Sequence, residues 1–286
     1  MHSRSLRLYS SVFDEGYSRA ALLVFLLLSL VFIGFRLWQL TNFSLWTDEI
    51  FSVGVTRLQW GAMLERLVLD KVHPPLFYLL LKVWVSVGGE ALLWLKLFPV
   101  LTAVATIIPF YFLCCELNLS AFAMNATMAM MSVNGYLVQY AQEVRMYSLL
   151  ILLATTSCWL YVRFANRDLA QKKHLLLLSL VNLLLIYTHY FGWLVVGVQI
   201  ISMFLLDRRK FLMYLVSVSA LILCFTPWIY FVVEAILNKQ GPVSGLDWIG
   251  RPALSSVNEY FAVLTGALSF PKSTYVRLLL FGIPSL

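Results

Sequence analysis

The run AALLVFLLLSLVFIGF, residues 20–35, contains sixteen consecutive residues without a formal charge. A helix needs about 17–25 predominantly apolar residues to cross the hydrocarbon core of a bilayer, and this run reaches that length when it is extended to residue 38. Trp38 and Trp46 follow at positions typical of interfacial anchors. Because the small-residue cleavage site of a secretory signal peptide is lacking, we expect a retained membrane-spanning helix over residues 20–38.

The rest of the chain has the same apolar character. Of its 286 residues, 61% are hydrophobic and 12% are charged, against about 45–50% apolar residues in soluble domains. The mean hydropathy is +0.83, and no alternating pattern of the barrel type competes with the long apolar runs. We therefore predict an all-α polytopic membrane protein. No internal repeat or long polar linker interrupts it, so residues 1–286 are interpreted as a single domain.

The net charge of +7 would suggest a nucleic-acid partner in a soluble protein. Here the lysines and arginines form short clusters between apolar runs, where they orient a membrane protein with the basic loops in the cytoplasm. This distribution argues against nucleic-acid binding. The four cysteines lie in or beside apolar segments without the spacing of metal ligands, so we interpret them as packed thiols.

Three basic clusters, near residues 4–19, 163–173 and 207–210, fix the predicted topology. Seven crossings place all three in the cytoplasm. The predicted spans cover residues 20–38, 91–113, 119–138, 147–164, 174–189, 191–206 and 211–233.

The segment PLFYLLLKVWVSVG, residues 75–88, does not fit this series. It is short for a crossing helix and carries Lys82 in its middle. A full crossing here would reverse every later loop and move the basic clusters outside. We therefore expect a re-entrant, interfacial or short non-crossing helix.

The first loop outside the cytoplasm, residues 42–74, combines apolar residues at helical spacing with charged ones, which predicts amphipathic helices lying on the bilayer. Thr47 is a candidate cap for the first of them, with Asp48 and Glu49 in its opening turn. One interpretation of this acidic pair is helix capping, because carboxylates favour the positive end of the helix dipole. The other is catalysis, because a carboxylate at the lipid surface can take a proton from an attacking hydroxyl.

The predicted topology brings further polar residues to the same side of the membrane. His73 precedes a Pro-Pro pair, Glu143 and Arg145 lie between two spans, and His189 lies at a tight connection. Glu143 and Arg145 diverge on a regular helix but point to one side of an extended or turning segment. Each residue alone also fits a structural role, such as an interfacial ion pair or a hydrogen-bonded histidine. Their collection on one side favours a site.

Four motifs in this order resemble a known family. They are TDEI at 47–50, HPPL at 73–76, QEVRMY at 142–147 and YTHYFG at 187–192. The set, spread over residues 20–206, resembles the GT-C fold glycosyltransferases that use polyprenyl-phosphate sugars, near the dolichyl-phosphate-mannose protein mannosyltransferase group. The resemblance implies inverting transfer of a hexose or pentose from a lipid-linked donor to an acceptor hydroxyl on a protein, lipid or glycan, at the non-cytoplasmic face.

The resemblance also implies roles for individual residues. Asp48 is the expected base, and Glu49 is a second catalytic candidate that orients the site. Arg145, alone or with a divalent metal ion, is expected to balance the charge of the departing lipid phosphate. The residues expected to bind substrate are His73, Glu143, Arg145, Tyr147, His189 and Tyr190, with Lys71 and Lys96 as further cationic candidates.

The family pattern continues through more spans, whereas residues 277–286, RLLLFGIPSL, lie within another apolar run. We therefore expect either a C-terminally truncated chain or a short member, in a bacterial inner membrane with its site on the periplasmic or extracellular side, or else in the endoplasmic reticulum. A transporter or lipid-handling protein is the main alternative, with polar residues lining a pathway near the bilayer midplane. A non-catalytic fragment of a glycosyltransferase is the second alternative.

Overall fold

The computed structural model describes residues 17–166 and 172–238 of the chain. Within those ranges it contains helices and no strands, which confirms the predicted all-α class. Arg4, Arg7, Arg167 and residues 239–286, including the apolar run 277–286, lie outside the described residues. The helices are α1 (Arg19–Leu37), α2 (Thr47–Thr56), α3 (Trp60–Asp70), α4 (Leu76–Gly88), α5 (Leu92–Ala105), α6 (Ile107–Glu116), α7 (Ala121–Val133), α8 (Gly135–Gln142), α9 (Tyr147–Asn166), α10 (Lys172–Thr188), α11 (Gly192–Leu206) and α12 (Arg208–Leu237).

Four helical segments are long and apolar enough to cross a membrane, and they are α1, the joined pair α5 and α6, α9 and α12. Helices α4, α7, α10 and α11 are apolar but shorter. This is the character of a multi-pass membrane protein. The number of crossings, seven, stays a prediction.

The predicted span 119–138 is not one helix. Asn134 has an extended backbone conformation and its side-chain oxygen accepts a hydrogen bond from the Leu137 amide at 3.0 Å. Helix α7 therefore ends at Val133, and Asn134 caps a new helix, α8. A prediction from hydropathy missed this break because one asparagine barely changes the average over an apolar run.

The helices of the first loop, together with α4, form a layer in which α2 and α4 lie side by side. Lys82, in the middle of α4, donates hydrogen bonds to the carbonyls of Thr56 at 2.7 Å and Leu58 at 2.6 Å, at the end of α2. Beyond that end, Arg57 pairs with Glu90. Helix α4 has 13 residues, so it is about 20 Å long, well short of the roughly 30 Å of hydrocarbon. Its pairing with a loop helix agrees with the predicted non-crossing arrangement, but its length does not separate it from α7, which has 13 residues, or from α11, which has 15. Whether α4 crosses stays a prediction.

Two tryptophans attach this layer to the membrane-spanning helices. Trp84 of α4 stacks on Trp94 of α5 with ring centroids 4.2 Å apart and an interplanar angle of 8°. Each indole N–H donates to the other residue's backbone carbonyl. A Cβ atom on Gly88 would lie 2.1 Å from the Trp94 ring, so the glycine makes this close approach possible.

Helices α9 to α12 are held together by a closed ring of buried polar side chains. Asn182 accepts a hydrogen bond from Ser157 at 2.5 Å and donates to Gln199 at 3.0 Å. Gln199 donates back to Ser157 at 2.7 Å and accepts from Tyr214 at 2.6 Å. Because these four residues come from four different helices, the ring specifies how the helices pack.

Arg36 docks α1 against α7 in a similar way. The side chain is fully buried, and its guanidinium donates to the carbonyls of Phe32 at 2.9 Å, Met131 at 3.0 Å and Ser132 at 3.3 Å. It also lies 3.2 Å from the centroid of the Phe32 ring. The two carbonyls on α7 belong to the last turn of that helix, where the helix dipole favours a cation.

The two ends of the bundle differ in chemistry. At one end, Arg163 lies 3.6 Å from the Glu116 carboxylate, and Lys210 donates to the Ala165 carbonyl at 2.6 Å. At the other end, which we call the site end, residues 38–46, 143–146 and 188–191 meet the first-loop layer. The predicted topology places the basic loops at one end of the bundle and the loops with the site residues at the other, and the structure has the same separation.

Candidate functional site

Glu49 joins the start of α2 to a distant part of the chain. Its side chain is 2% exposed, and one carboxylate oxygen accepts from the Trp46 amide at 3.0 Å. The other oxygen accepts from the Val144 amide at 2.6 Å. The expected cap, Thr47, is instead the first helical residue, and Glu49 reaches back to supply the acceptor. With both oxygens accepting from backbone amides, Glu49 fixes the start of α2 against the segment 143–146.

Asp48 points a different way from its neighbour. Its side chain is 43% exposed, and one carboxylate oxygen lies 3.5 Å from the guanidinium of Arg145. Its backbone carbonyl accepts from the Ser52 hydroxyl at 2.8 Å and from Arg145 at 3.3 Å. Asp48 is thus an accessible carboxylate on a fixed backbone.

Arg145 is the centre of this cluster and lies in the non-helical segment 143–146. Its side chain is 3% exposed. The guanidinium contacts the Asp48 carboxylate and donates to the Ser52 hydroxyl at 3.3 Å and to His73 Nε2 at 3.2 Å. A guanidinium only donates, so these contacts occupy much of its capacity. The guanidinium of Arg145, which is expected from the sequence to face a lipid phosphate, contacts Asp48 and His73 instead.

His73 extends the cluster by one more residue. Because Nε2 accepts from Arg145, the ring proton of a neutral His73 is on Nδ1, and it donates to the Asp70 carboxylate at 3.1 Å. The result is a continuous chain from Asp70 through His73 and Arg145 to Asp48. The Pro74-Pro75 pair between α3 and α4 cannot continue a helix from α3, which leaves His73 in the connection that faces Arg145.

His189 closes the cluster from the side of α10 and α11. Its ring centroid lies 6.2 Å from that of His73, and Nδ1 accepts from the Phe191 amide at 3.1 Å. Burial, aided by the neighbouring His73 and Arg145, lowers the pKa of His189 to about 4, so the ring is neutral at pH 7. A Cβ atom on Gly192 would lie 2.9 Å from the Leu185 backbone, and the glycine therefore permits this tight connection.

A cavity of about 1280 Å³ adjoins the cluster at the site end. Glu49 and Tyr147 lie in its wall, and Asp48 is the next residue to Glu49. The cavity is bounded by the end of α1, the loop that follows it, the start of α5 and helices α7 and α8. Its aromatic lining is Phe35, Trp38, Phe43, Trp46, Tyr140 and Tyr147, and its polar lining is Gln39, Ser44, Glu49, Lys96, Gln139, Gln142 and Glu143.

Glu143 lies in the cavity wall beside the Arg145 cluster. Its carboxylate accepts from the Gln139 amide group at 2.8 Å. Burial raises the pKa of Glu143 above that of an ordinary glutamate. Tyr140 and Tyr147 pack with centroids 4.5 Å apart, and Tyr147 lies 6.5 Å from His189. Aromatic rings thus run from the cavity to the charged cluster.

The structure brings seven of the predicted site residues into one neighbourhood and leaves the eighth at its edge. Tyr190 turns toward α12, where its hydroxyl accepts from the Trp228 indole at 3.1 Å. The grouped residues are Asp48, Glu49, His73, Glu143, Arg145, Tyr147 and His189.

Sequence reasoning missed the roles of several polar residues. Asp70 carried a signal, since it stands three residues before His73, one helical turn away. Gln139 stands four residues before Glu143 and had the same kind of signal. Gln142 stood in the QEVRMY motif but was given no role of its own. Ser52 and Gln39 gave no signal, because their places in the site depend on contacts between distant segments.

A divalent metal ion is the other group expected from the sequence to balance the charge of the departing phosphate. In the described parts of the chain, no three His, Cys, Asp or Glu side chains converge as a metal site. The residues at hand therefore do not supply a ready set of ligands, and we route no chemistry through a metal. Comparisons with protein families, curated proteins and solved structures found no match to this chain.

Proposed function

We propose that this chain is a membrane glycosyltransferase that moves a sugar from a polyprenyl-phosphate donor to an acceptor hydroxyl outside the cytoplasm. One observation carries the proposal. The accessible carboxylate of Asp48 is held by the buried Arg145, which is bonded in turn to the partly buried His73 and Asp70, next to a large cavity at the end of membrane-spanning helices.

The arrangement suits a single displacement. Asp48 takes the proton of the acceptor hydroxyl while the hydroxyl oxygen forms a bond to the anomeric carbon of the donor sugar. The bond between that carbon and the phosphate oxygen breaks, and its electron pair leaves with the lipid phosphate. Attack from the face opposite the leaving group inverts the configuration at the anomeric carbon.

Arg145 and His73 serve this step by fixing the base. Arg145 contacts both the carboxylate and the backbone carbonyl of Asp48, and His73 in turn accepts from Arg145. A general base must lie within hydrogen-bond reach of the proton it removes, so its orientation matters as much as its basicity. Glu49 holds the same helix start from the other side.

The transport alternative expects polar groups that line a path near the bilayer midplane. The buried polar side chains of α9 to α12 are instead hydrogen-bonded to one another in the ring around Asn182. The acidic site residues lie at one end of the bundle. Both observations favour a reaction at the membrane surface over transport of a substrate through the protein.

The test is a transfer assay on the purified full chain in lipid nanodiscs, with a panel of polyprenyl-phosphate sugars and simple hydroxyl acceptors, water included. We expect release of free polyprenyl phosphate and a product of inverted anomeric configuration with at least one donor. Lipid movement across proteoliposomes without sugar release from any donor would favour the transport alternative.

A further inference from the structure

Lys96 is a buried cation in the wall of the cavity. It stands near the start of α5 and is 5% exposed. Its ammonium group donates to the backbone carbonyl of Phe43 at 3.0 Å. Across residues 17–166 and 172–238, this carbonyl is its sole hydrogen-bond partner and no carboxylate lies within ion-pair distance.

A buried ammonium without an anion is unfavourable, because a carbonyl dipole replaces its lost hydration only in part. Lys210, which is also buried, lies 3.9 Å from the Asp207 carboxylate. Arg36 is buried without a carboxylate partner among the described residues, but its guanidinium donates to three backbone carbonyls. Lys96 has three donors and uses one of them on Phe43. Two donors thus remain for an anion that enters the cavity.

Arg145 is less suited to that anion. It does not line the cavity, and the two terminal nitrogens of its guanidinium are already engaged by Asp48, Ser52 and His73, while its Nε is buried without a hydrogen-bond partner in the described part of the chain. Lys96 is therefore the cation that an anionic group meets inside the cavity.

The outer wall of the cavity is apolar and continues the surface of the membrane-spanning helices. Phe35 is 44% exposed, Trp38 68% and Val133 60%, all near the site ends of α1 and α7. Large exposed apolar side chains beside a membrane-spanning helix suit contact with lipid chains. A ligand with an apolar tail can enter here from the bilayer.

The inner wall is polar and aromatic. Gln139 and Glu143 hydrogen-bond each other and, among the described residues, keep one free amide oxygen and one free carboxylate oxygen for a hydroxyl. The Gln142 nitrogen is already used on the carbonyls of Arg36 and Trp38, so its oxygen is the part that remains. Tyr140 and Tyr147 offer ring faces. Glu49 adds no free acceptor, because both its oxygens are bonded to backbone amides. The cavity thus combines an apolar opening, a cation and a hydroxyl-binding wall.

We propose that this cavity binds the lipid-linked donor and that Lys96 holds its phosphate, with the tail along Phe35 and Trp38 and the sugar at Gln139 and Glu143. The assignment of the sugar rests on the proposed function. The assignment of the lipid phosphate stands on the cavity and on Lys96.

The test measures binding of radiolabelled polyprenyl phosphate to the purified full chain, with polyprenol of the same length and inorganic phosphate as competitors. It requires no sugar and no transfer, so its failure is separate from failure of the proposed function. We expect the wild type to prefer polyprenyl phosphate over polyprenol by at least about tenfold, the weaker end of what a charge-assisted hydrogen bond gives. Inorganic phosphate alone should not compete at millimolar concentration.

Lys96→Gln should remove this preference while polyprenol binding stays the same, and Lys96→Arg, which keeps the charge, should retain it. The matched control is Lys82→Gln, because Lys82 also donates to backbone carbonyls but does not line the cavity.

Three results would overturn the assignment of Lys96, and a fourth would overturn that of the lipid. The first three are an unchanged preference in Lys96→Gln, loss of preference in a folded Lys96→Arg, and equal wild-type binding of polyprenyl phosphate and polyprenol. Efficient competition by inorganic phosphate would overturn the lipid assignment. Should Lys96→Gln not fold, the wild-type ratio and Lys96→Arg still decide the outcome.

Discussion

At the scale of single residues, two adjacent acids differ because their side chains leave the helix in different directions. Asp48 is accessible and faces Arg145, whereas Glu49 is buried between two backbone amides. Removing the charge from each should therefore have different consequences, one for chemistry and one for folding.

Asp48→Asn should slow sugar transfer by at least about a hundredfold, because loss of a general base typically costs on the order of 10²–10⁴ in rate. Folding should be retained, since the Asp48 side chain does not cap α2 and amide and carboxylate have similar size. The measurements are transfer rate and thermal unfolding in detergent. Asp207→Asn, at the start of α12 on the opposite end, is the control for an acid at a helix start. Near-normal transfer by Asp48→Asn would refute the assignment.

Glu49→Gln should destabilise the protein by about 2–3 kcal/mol, because glutamine keeps one acceptor and places an amide donor against a backbone N–H. The loss should appear as a lower unfolding temperature. Glu65→Gln on the exposed face of α3 is the matched control and should change little. A stable Glu49→Gln variant with lost transfer would instead return Glu49 to a direct chemical role.

His189 should make stability sensitive to acid. Its pKa is lowered to about 4 in the fold from an ordinary value near 6.5, so the unfolded chain binds the proton more readily. The stability that the neutral ring contributes is complete above pH 6.5 and is lost as the pH falls toward 4. In His189→Asn, whose side-chain oxygen can still accept from the Phe191 amide, the unfolding temperature should fall less over this interval. If the unfolding temperatures of the wild type and of His189→Asn fall equally over this pH interval, the acid sensitivity does not come from His189.

The sequence predicted which residue types gather at the site, because the motifs place acids and histidines in loops on one side. It did not predict their partners. The Glu49 carboxylate bonds to Val144, 95 positions away, and no local pattern reports such a contact. The cavity was likewise unpredictable, since its wall combines residues from several distant segments.

At the scale of helices, local hydropathy predicted most elements because apolar runs become buried or lipid-facing helices whatever their neighbours are. Local hydropathy missed the helix break at Asn134. The side chain of this residue caps α8 at a point where the apolar run is continuous in the sequence. Amphipathic spacing in the first loop predicted α3 well. Met63 and Leu67 are fully buried there while Glu65 and Arg66 are exposed.

Asn182→Leu should loosen the packing of α9 to α12. The change removes the Ser157 and Gln199 partners of the polar ring, and hydrogen bonds between membrane helices contribute about 0.6 kcal/mol on average and up to about 1.7. We expect a loss of about 1–3 kcal/mol in unfolding free energy, measured in detergent. Ser219→Ala is the control, because this serine bonds within its own helix. A more stable Asn182→Leu would show that the ring serves function rather than packing.

At the scale of the whole molecule, the order of the crossings depends on α4. If α4 stays on one side, cysteines placed at Thr41 and Ala91 should both react with a membrane-impermeant maleimide from the non-cytoplasmic side. Lys173→Cys should react from the opposite side. The parent protein for this labelling has its four native cysteines replaced. Reaction of Thr41→Cys and Ala91→Cys from opposite sides would mean that α4 crosses and that the predicted topology is wrong.

The pairing of Arg36 with α7 has a consequence for biogenesis. Arg36 donates hydrogen bonds to the carbonyls of Met131 and Ser132 on α7. These residues are synthesised about 95 residues after Arg36, which takes on the order of 5–20 s at ordinary rates of translation. During that interval the arginine is hydrated at the membrane surface, because a charged side chain is costly in hydrocarbon. The first helix is thus inserted early but docked late, and the wall that Phe35 and Trp38 contribute to the cavity forms only when α7 arrives.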